Sequence, residues 1–248
     1  MAEKHFYEQT EFTNSYLLPY FHNNIPNFNK LKVLEVGCAE GGLLEVLQNL
    51  GMTAVGLEIS RERVNTAKEK NPDLNILVGD ITDPELSKKL NQKFDMIVMR
   101  EVIEHIHDKK AAFDNLDALL NENGYLFISF PPRMSPFAGH QQIAKSFLKI
   151  IPYLHVLPES ILRPLAKTMG EKSDYVDEIK LHFSTGCTIH EFEYRHKSKN
   201  FLVVKKEFFL FRPIYAIRFG LPTIKLPNIP VFREFISFGC ESLLQKKV

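Results

Sequence analysis

The chain has 248 residues, of which 44% are hydrophobic and 25% charged; it can bury a sizeable core and fits one domain with an insertion or two modest units. Its net charge of +1 conceals an asymmetry, because from Arg195 onward 11 Lys/Arg stand against 3 Asp/Glu, a net of +8, leaving −7 for the first 194 residues. A basic end of this kind can meet an acidic or phosphorylated surface, but no nucleic-acid motif accompanies it, so solvated charge is the plainer reading. Cys38, Cys187 and Cys240 are too few and too far apart for a disulfide framework or a metal knuckle. The polar N-terminus lacks an apolar signal core and no run is long enough to span a bilayer, so the expectation is a soluble cytoplasmic protein.

Residues 1–30 mix aromatic and polar side chains and predict one or two short helices packed over a cleft, interrupted at Pro19 and Pro26. Residues 31–36 form a short Val/Leu run that reads as a buried parallel strand, and the turn after it, Gly37-Cys38-Ala39-Glu40-Gly41-Gly42, leads into a helix over 43–50. Gly37 and Gly41 allow backbone angles and ligand approaches that a side chain would obstruct. Glu35, near the strand end, needs hydrogen-bond donors from the loop or a ligand if buried. The dinucleotide pattern G-x-G-x-x-G is not met, since Ala39 occupies its middle glycine position although Gly42 fills the last.

A second strand over 53–58 ends in Glu58, whose carboxylate can accept from two adjacent ribose hydroxyls or cap the helix beginning near Ser60. A third strand over 75–78 runs into Gly79, Asp80 and Ile81, which brings Asp80 to the same sheet edge. Asp83-Pro84 predicts a helix start with Asp83 as the cap. A fourth strand over 94–99 continues into the polar run Arg100-Glu101-Val102-Ile103-Glu104-His105. A helix over 111–120 closes at Asn123-Gly124, and residues 125–130 supply a fifth strand. Five such alternations predict a doubly wound α/β sheet with ligands at one edge.

In order, V-L-E-V-G-C-A-E-G, the terminal Glu58, G-D at 79–80, F-D-x-I at 94–97 and E-V-I-E-H at 101–105 resemble the class I S-adenosylmethionine-dependent methyltransferases. The likeness covers residues 28–130 and is greatest to the small-molecule branch that includes the ubiquinone and menaquinone methylases. In that family the first motif is an acid followed by G-x-G-x-G; here it reads Glu35, Gly37, Ala39, Gly41, with Cys38 inside it and alanine at the middle glycine. The resemblance implies S-adenosyl-L-methionine as cofactor, Glu58 as the ribose-binding acid, Asp80 facing the adenine amino group with Ile81 beside it, and Arg100 and Glu101 flanking the methionine portion. It also implies a mostly parallel, seven-stranded Rossmann-like methyltransferase sheet.

After strand five the rhythm breaks. Residues 130–142 end in a rigid loop that presents His140, and the segment to 187 reads as an inserted lid or acceptor region. Thr188-Ile189-His190-Glu191 is a capping box with a structural role. Residues 201–210 predict a strand near the sheet edge, 211–222 an aromatic and basic excursion packed on the sheet, and 242–247 a last strand. The organisation expected is a helical cover over 1–30, a cofactor-binding core over 31–130, an insertion over 131–187 and completion of the sheet over 188–248.

Methyl transfer asks the protein for alignment, exclusion of water and, where needed, proton removal, so no catalytic triad is required. His140 is the favoured base and His105 its rival. Glu101, Glu104 and His105 admit a divalent metal, against which a buried hydrogen-bond network is preferred and no metal is expected. The acceptor expected is a small or lipid-like molecule, not DNA, and nucleic-acid or protein acceptors are disfavoured. Peripheral lipid contact is compatible with the excursion, and the oligomeric state is open. A non-catalytic cofactor-binding interaction protein and a nicotinamide-dependent oxidoreductase are the alternatives.

Overall fold

Apolar runs without an alternating polar face become strands buried on both sides. The computed structural model describes residues 2–247, with side chains from Lys4 onward. Helix α1 (Ala2–Phe12) continues through a π-helical turn over Thr13–Leu17 into α2 (Leu18–Asn24). Strand β1 (Val33–Val36), α3 (Gly42–Asn49), β2 (Ala54–Glu58), α4 (Arg61–Lys70), β3 (Ile76–Val78), α5 (Leu86–Leu90), β4 (Phe94–Arg100), α6 (Lys109–Leu119) and β5 (Leu120–Phe130) follow in alternation. Three 3₁₀ turns, α7 (Glu159–Thr168) and α8 (Tyr175–Thr185) make up the insertion. The chain closes with α9 (Ile189–Ser198), β6 (Phe201–Phe211), α10 (Ile214–Phe219), β7 (Ile224–Leu226), α11 (Phe232–Ile236) and β8 (Gly239–Lys246).

The eight strands lie in the order β3-β2-β1-β4-β5-β8-β6-β7. β1 to β5 pair in parallel, β8 runs antiparallel between β5 and β6, and β7 is antiparallel to β6. The sheet is therefore mixed and eight-stranded, where seven strands were expected. The extra strand is β7, three residues between Pro222 and Pro227, too short to carry a sequence period.

Strand alternation sends Leu34, Val36, Ile97, Met99, Leu126 and Ile128 to one face, beneath α5, α6 and α9. Val33, Ala54, Met96, Val98 and Phe127 go to the other, beneath α1–α2, α3 and α4. A separate apolar cluster built from Ala144, Leu148, Leu162, Tyr175 and Ile179 holds the inserted region together. That region is tied to the sheet edge by the buried Lys109 ammonium, which donates to the carbonyls of Ile106 at 2.9 Å and Thr185 at 2.6 Å.

Three local expectations are corrected. Pro19 does not interrupt the first helix. Thr13, Asn14 and Ser15 each donate a side-chain hydrogen bond to the carbonyl four residues back, and the Leu18 amide reaches back five residues to Thr13. This widened turn ends where proline has no amide to offer, so the helix passes through it. Asp83 does not cap a helix at Pro84: its carboxylate accepts from Glu85 N–H at 2.9 Å in a local turn, and α5 begins only at Leu86. The last strand begins at Gly239, three residues before the expected start.

The cover is fastened by aromatic packing. Tyr20 and Phe21 meet Phe127 edge-on at centroid distances of 5.4 and 5.2 Å, and Phe21 is fully buried. Phe21→Ala is expected to lower unfolding free energy by about 3–5 kcal/mol in urea titration, whereas Tyr7→Ala, at an exposed ring, is expected to change it by less than about 0.5 kcal/mol.

Candidate active site

At the C-terminal edge of the parallel strands, the turns after β1, β2, β3 and β4 and the inner face of α1 enclose a cavity of about 600 Å³. Gly37 and Gly41 take left-handed φ values of 72° and 82°. A Cβ on Gly37 would stand 2.2 Å from Val102 Cγ2, so the turns after β1 and β4 meet only because that residue is bare. Ala39, at the motif's middle-glycine position, is also left-handed, at φ 49°, a conformation that costs an L residue about 1–2 kcal/mol.

Glu58 compensates. Its Oε2 accepts from Ala39 N–H at 2.9 Å and its Oε1 from Ser60 N–H at 2.9 Å, joining the turn after β1 to the start of α4. The helix-approach role is thus present, and a carboxylate with about four acceptor positions retains about two for a ligand. Asp80 is exposed on the same rim and uses Oδ1 for both the Thr82 amide and hydroxyl, each at 2.8 Å. Ile81 is buried below it, with its carbonyl accepting from Asn115 at 2.7 Å. Ile59 also lines the cavity although it is 68% exposed; an apolar residue directly after a strand-end acid was the available sequence signal.

Glu35, Cys38 and Gly41 lie behind the wall. Glu35 is buried and accepts from Arg100 Nη2 at 2.8 Å, while its Oε2 has no partner among the described residues. Burial outweighs the pull of Arg100 and, with the charge of Glu58 adding to it, pushes the Glu35 carboxyl up to about 7. Cys38 packs its sulfur toward Gly56, where an added Cβ would approach it to 2.6 Å. Burial raises its thiol, so only its backbone serves the turn.

In the far half of the cavity the expected Glu101 joins groups that the sequence did not single out. Glu101, at φ 56°, forms a two-pronged ion pair with the buried Arg212, one prong at 2.7 Å. Glu241, at the start of β8, accepts from Tyr16 Oη at 2.7 Å. Ser129, Ile214 and Arg218 complete this side with Phe12. A lone acid in the apolar run of β8 was the signal for Glu241; nothing local marks Arg212.

The two expected histidines come together, along with a third. His105 lines the cavity; His140, also left-handed at φ 54°, meets it edge-on at 5.4 Å and stacks on His182 of α8 at 4.1 Å. Burial lowers all three; neighbouring imidazoles add to it for His105 and for His140, which falls to about 4, while Glu178 opposes it at His182. His105 is the cavity-facing member and His140 stands behind it. Glu104 is buried with its carboxyl held well above its usual range by burial and by Glu101. Among the described residues no three His, Cys, Asp or Glu side chains are grouped so as to hold a metal ion.

The family described as Methyltransferase domain matches residues 7–162. The chain is 34% identical over 100 residues to the ubiquinone biosynthesis O-methyltransferase of Pelagibacter ubique, covering 40% of this chain and 41% of that protein. It spans about half or less of the curated relatives it matches. A protein of Pyrococcus horikoshii OT3 superposes with a TM-score of 0.59 at 16% identity over 97% of this chain and 91% of its own. A SAM dependent methyltransferase from Archaeoglobus fulgidus does so with 0.56 at 16% identity over 96% and 94%. At such identities the structural likeness speaks for the fold.

Glu241 yields a test of the cavity's electrostatics. Burial pushes its carboxyl from 4.5 up to about 7 against the Tyr16 hydrogen bond. The folded chain therefore holds a proton that the unfolded chain releases, and this group's contribution to stability falls as pH rises from about 4.5 to about 7. The lowered histidines act in the opposite sense, so the difference between variant and wild type is the readout. Relative to wild type, Glu241→Gln is expected to gain about 1–3 kcal/mol between pH 5 and pH 8 in urea unfolding; no change with pH would show that the carboxyl titrates normally.

Proposed function

Since this chain belongs to the methyltransferase-domain family, we propose that it transfers the sulfonium methyl group of S-adenosylmethionine to a hydroxyl or amine of a small aromatic or lipid-like acceptor. One observation carries the reading. Glu58 and Asp80 stand on one rim of a 600 Å³ cavity, beside a turn that only bare or left-handed residues can make. This fits an adenosine-bearing ligand: Glu58 has acceptor positions for ribose hydroxyls, Asp80 keeps Oδ2 for an exocyclic amino group, and Leu57, Ile59 and Ile81 supply apolar walls.

When bound, S-adenosylmethionine supplies a methyl group that is already activated for transfer. The protein's part is placement. Gly37 and Ala39 line the near side, with Glu35 holding Arg100 from behind, while Arg100 and Glu101 close on the middle of the cavity. The acceptor belongs in the far half, among Phe12, Ser129, Ile214 and Glu241. His105 is the group we assign to take the acceptor's proton, because it faces the cavity and is neutral at physiological pH; His140 orients it from behind. Residues 31–130 form the cofactor-binding core in this reading, 1–30 its helical cover, 131–187 an insertion that lines no part of the cavity and reaches the site through His140 and His182 beside His105, and 188–248 the completion of the sheet, whose excursion allows peripheral lipid contact. The name of the Pelagibacter relative makes a phenolic hydroxyl the first acceptor to screen.

Calorimetric titration with S-adenosylhomocysteine tests the reading. Wild type is expected to bind, and Glu58→Ala and Asp80→Ala each to weaken binding by about tenfold or more in folded protein. A folded wild type that does not bind would overturn it. Once an acceptor is found, His105→Gln is expected to lower kcat by about 10²–10⁴ with S-adenosylhomocysteine affinity unchanged, and His140→Gln to have a smaller effect. The reverse order would make His140 the base.

A further inference from the structure

Two segments far apart in sequence are both free of carboxylates, rich in exposed apolar side chains, and in contact. Residues 134–158 and 208–233 contain no Asp or Glu. In the first, Phe147 is 56% and Ile150 63% exposed; in the second, Val231 is 68% and Phe232 63% exposed. They are brought together just beyond the end of the second segment, where the Tyr153 hydroxyl donates to the Phe235 carbonyl at 2.9 Å and Phe137 packs edge-on to Phe238 at 5.7 Å. The excursion expected to pack on the sheet does so only at its start: Ile214 is buried, whereas residues 219–236 are largely exposed.

We propose that this composite face docks the chain on the surface of an anionic lipid bilayer. Large apolar side chains exposed together are costly unless something covers them, and the charge on the face selects the covering surface. The cations of the second segment are engaged with the body: Arg212 with Glu101, Arg218 with Glu8, Lys225 with Glu207 and Arg233 with Glu193. Lys145 and Lys149, which flank Phe147, have no ion-pair partner among the described residues and are exposed. Lysine is depleted in protein–protein interfaces, whereas aromatic and aliphatic side chains interleaved with lysines suit the interface between acyl chains and anionic headgroups; the carboxylates adjoining the face, Glu171 and Glu234, accept from the backbone amides of Lys145 and Ser146 and of Ile189 and His190. No helix among the described residues is long and apolar enough to cross a membrane, so the contact is peripheral. α10, whose Ile214 and Arg218 line the cavity, lies within the second segment and leads directly into its exposed part, which places the cavity wall next to the docked face.

Sedimentation of the full chain with vesicles tests this. Wild type is expected to sediment with an equal mixture of phosphatidylcholine and phosphatidylglycerol and to stay in solution with phosphatidylcholine alone. Phe147→Ser combined with Phe232→Ser, and separately Lys145→Gln combined with Lys149→Gln, should each reduce the bound fraction by about tenfold. Both variants should retain the wild-type thermal midpoint and S-adenosylhomocysteine affinity, which separates loss of docking from misfolding and from failure of the proposed activity. No sedimentation of wild type, or sedimentation unaffected by either pair, would overturn the proposal. So would a dimer in sedimentation velocity that the same substitutions dissociate, since the face would then belong to a second copy.

Discussion

The Glu58 carboxylate is the interaction on which the site's shape depends. By accepting the amides of Ala39 and Ser60 it fixes two turns that leave different strands, and it stabilises a left-handed alanine that would otherwise relax. Gly37 lets the turn after β4 approach from the other side. Three loops thereby share one geometry set by one side chain and one missing side chain. Each lies at the end of a central parallel strand, where register with the neighbours leaves little freedom.

Around that point, several buried polar groups find a partner in a distant part of the chain. Glu35 is held by Arg100, Arg212 by the exposed Glu101, and Glu241 by Tyr16 of the N-terminal cover. Leaving any of these buried groups alone in an apolar wall would be expensive, so the pairs constrain which elements can occupy the cavity's far half. The cover follows from this. Its aromatic residues anchor it to Phe127, and Tyr16 then presents a hydroxyl to the one acid in β8.

The central strands and the near half of the site were legible in the sequence because their signals are local. A Val/Leu run, a glycine turn and a strand-end acid report on a few adjacent residues, and β1, β2 and β4 appear within two residues of where such runs predict them. The far half was not legible, since Arg212 and Glu241 acquire meaning only from partners more than a hundred residues away. β7 escaped because three residues between prolines carry no period. The continuity of the first helix escaped because a π-helical turn, set up by Thr13, Asn14 and Ser15 bonding to their own backbone, removes the penalty that proline normally imposes. His140 was legible as a loop histidine near the site, but its stacking on His182 depends on how the insertion folds back.

That stacking limits what the histidines can do. Three imidazoles within 5.4 Å of one another cannot all carry charge, because protonating one sets a cation beside two rings already deprived of water. The cluster can therefore hold at most one proton readily, and in the proposed reaction its place is His105, the ring that faces the cavity. His140, lowered to about 4 and stacked against a parallel ring, gains least from taking the proton itself. Its edge-on contact suits it, in that reaction, to direct His105 into the cavity. An inserted region with its own small core, pinned to the sheet edge through Lys109, is the kind of rigid support that such a second ring requires.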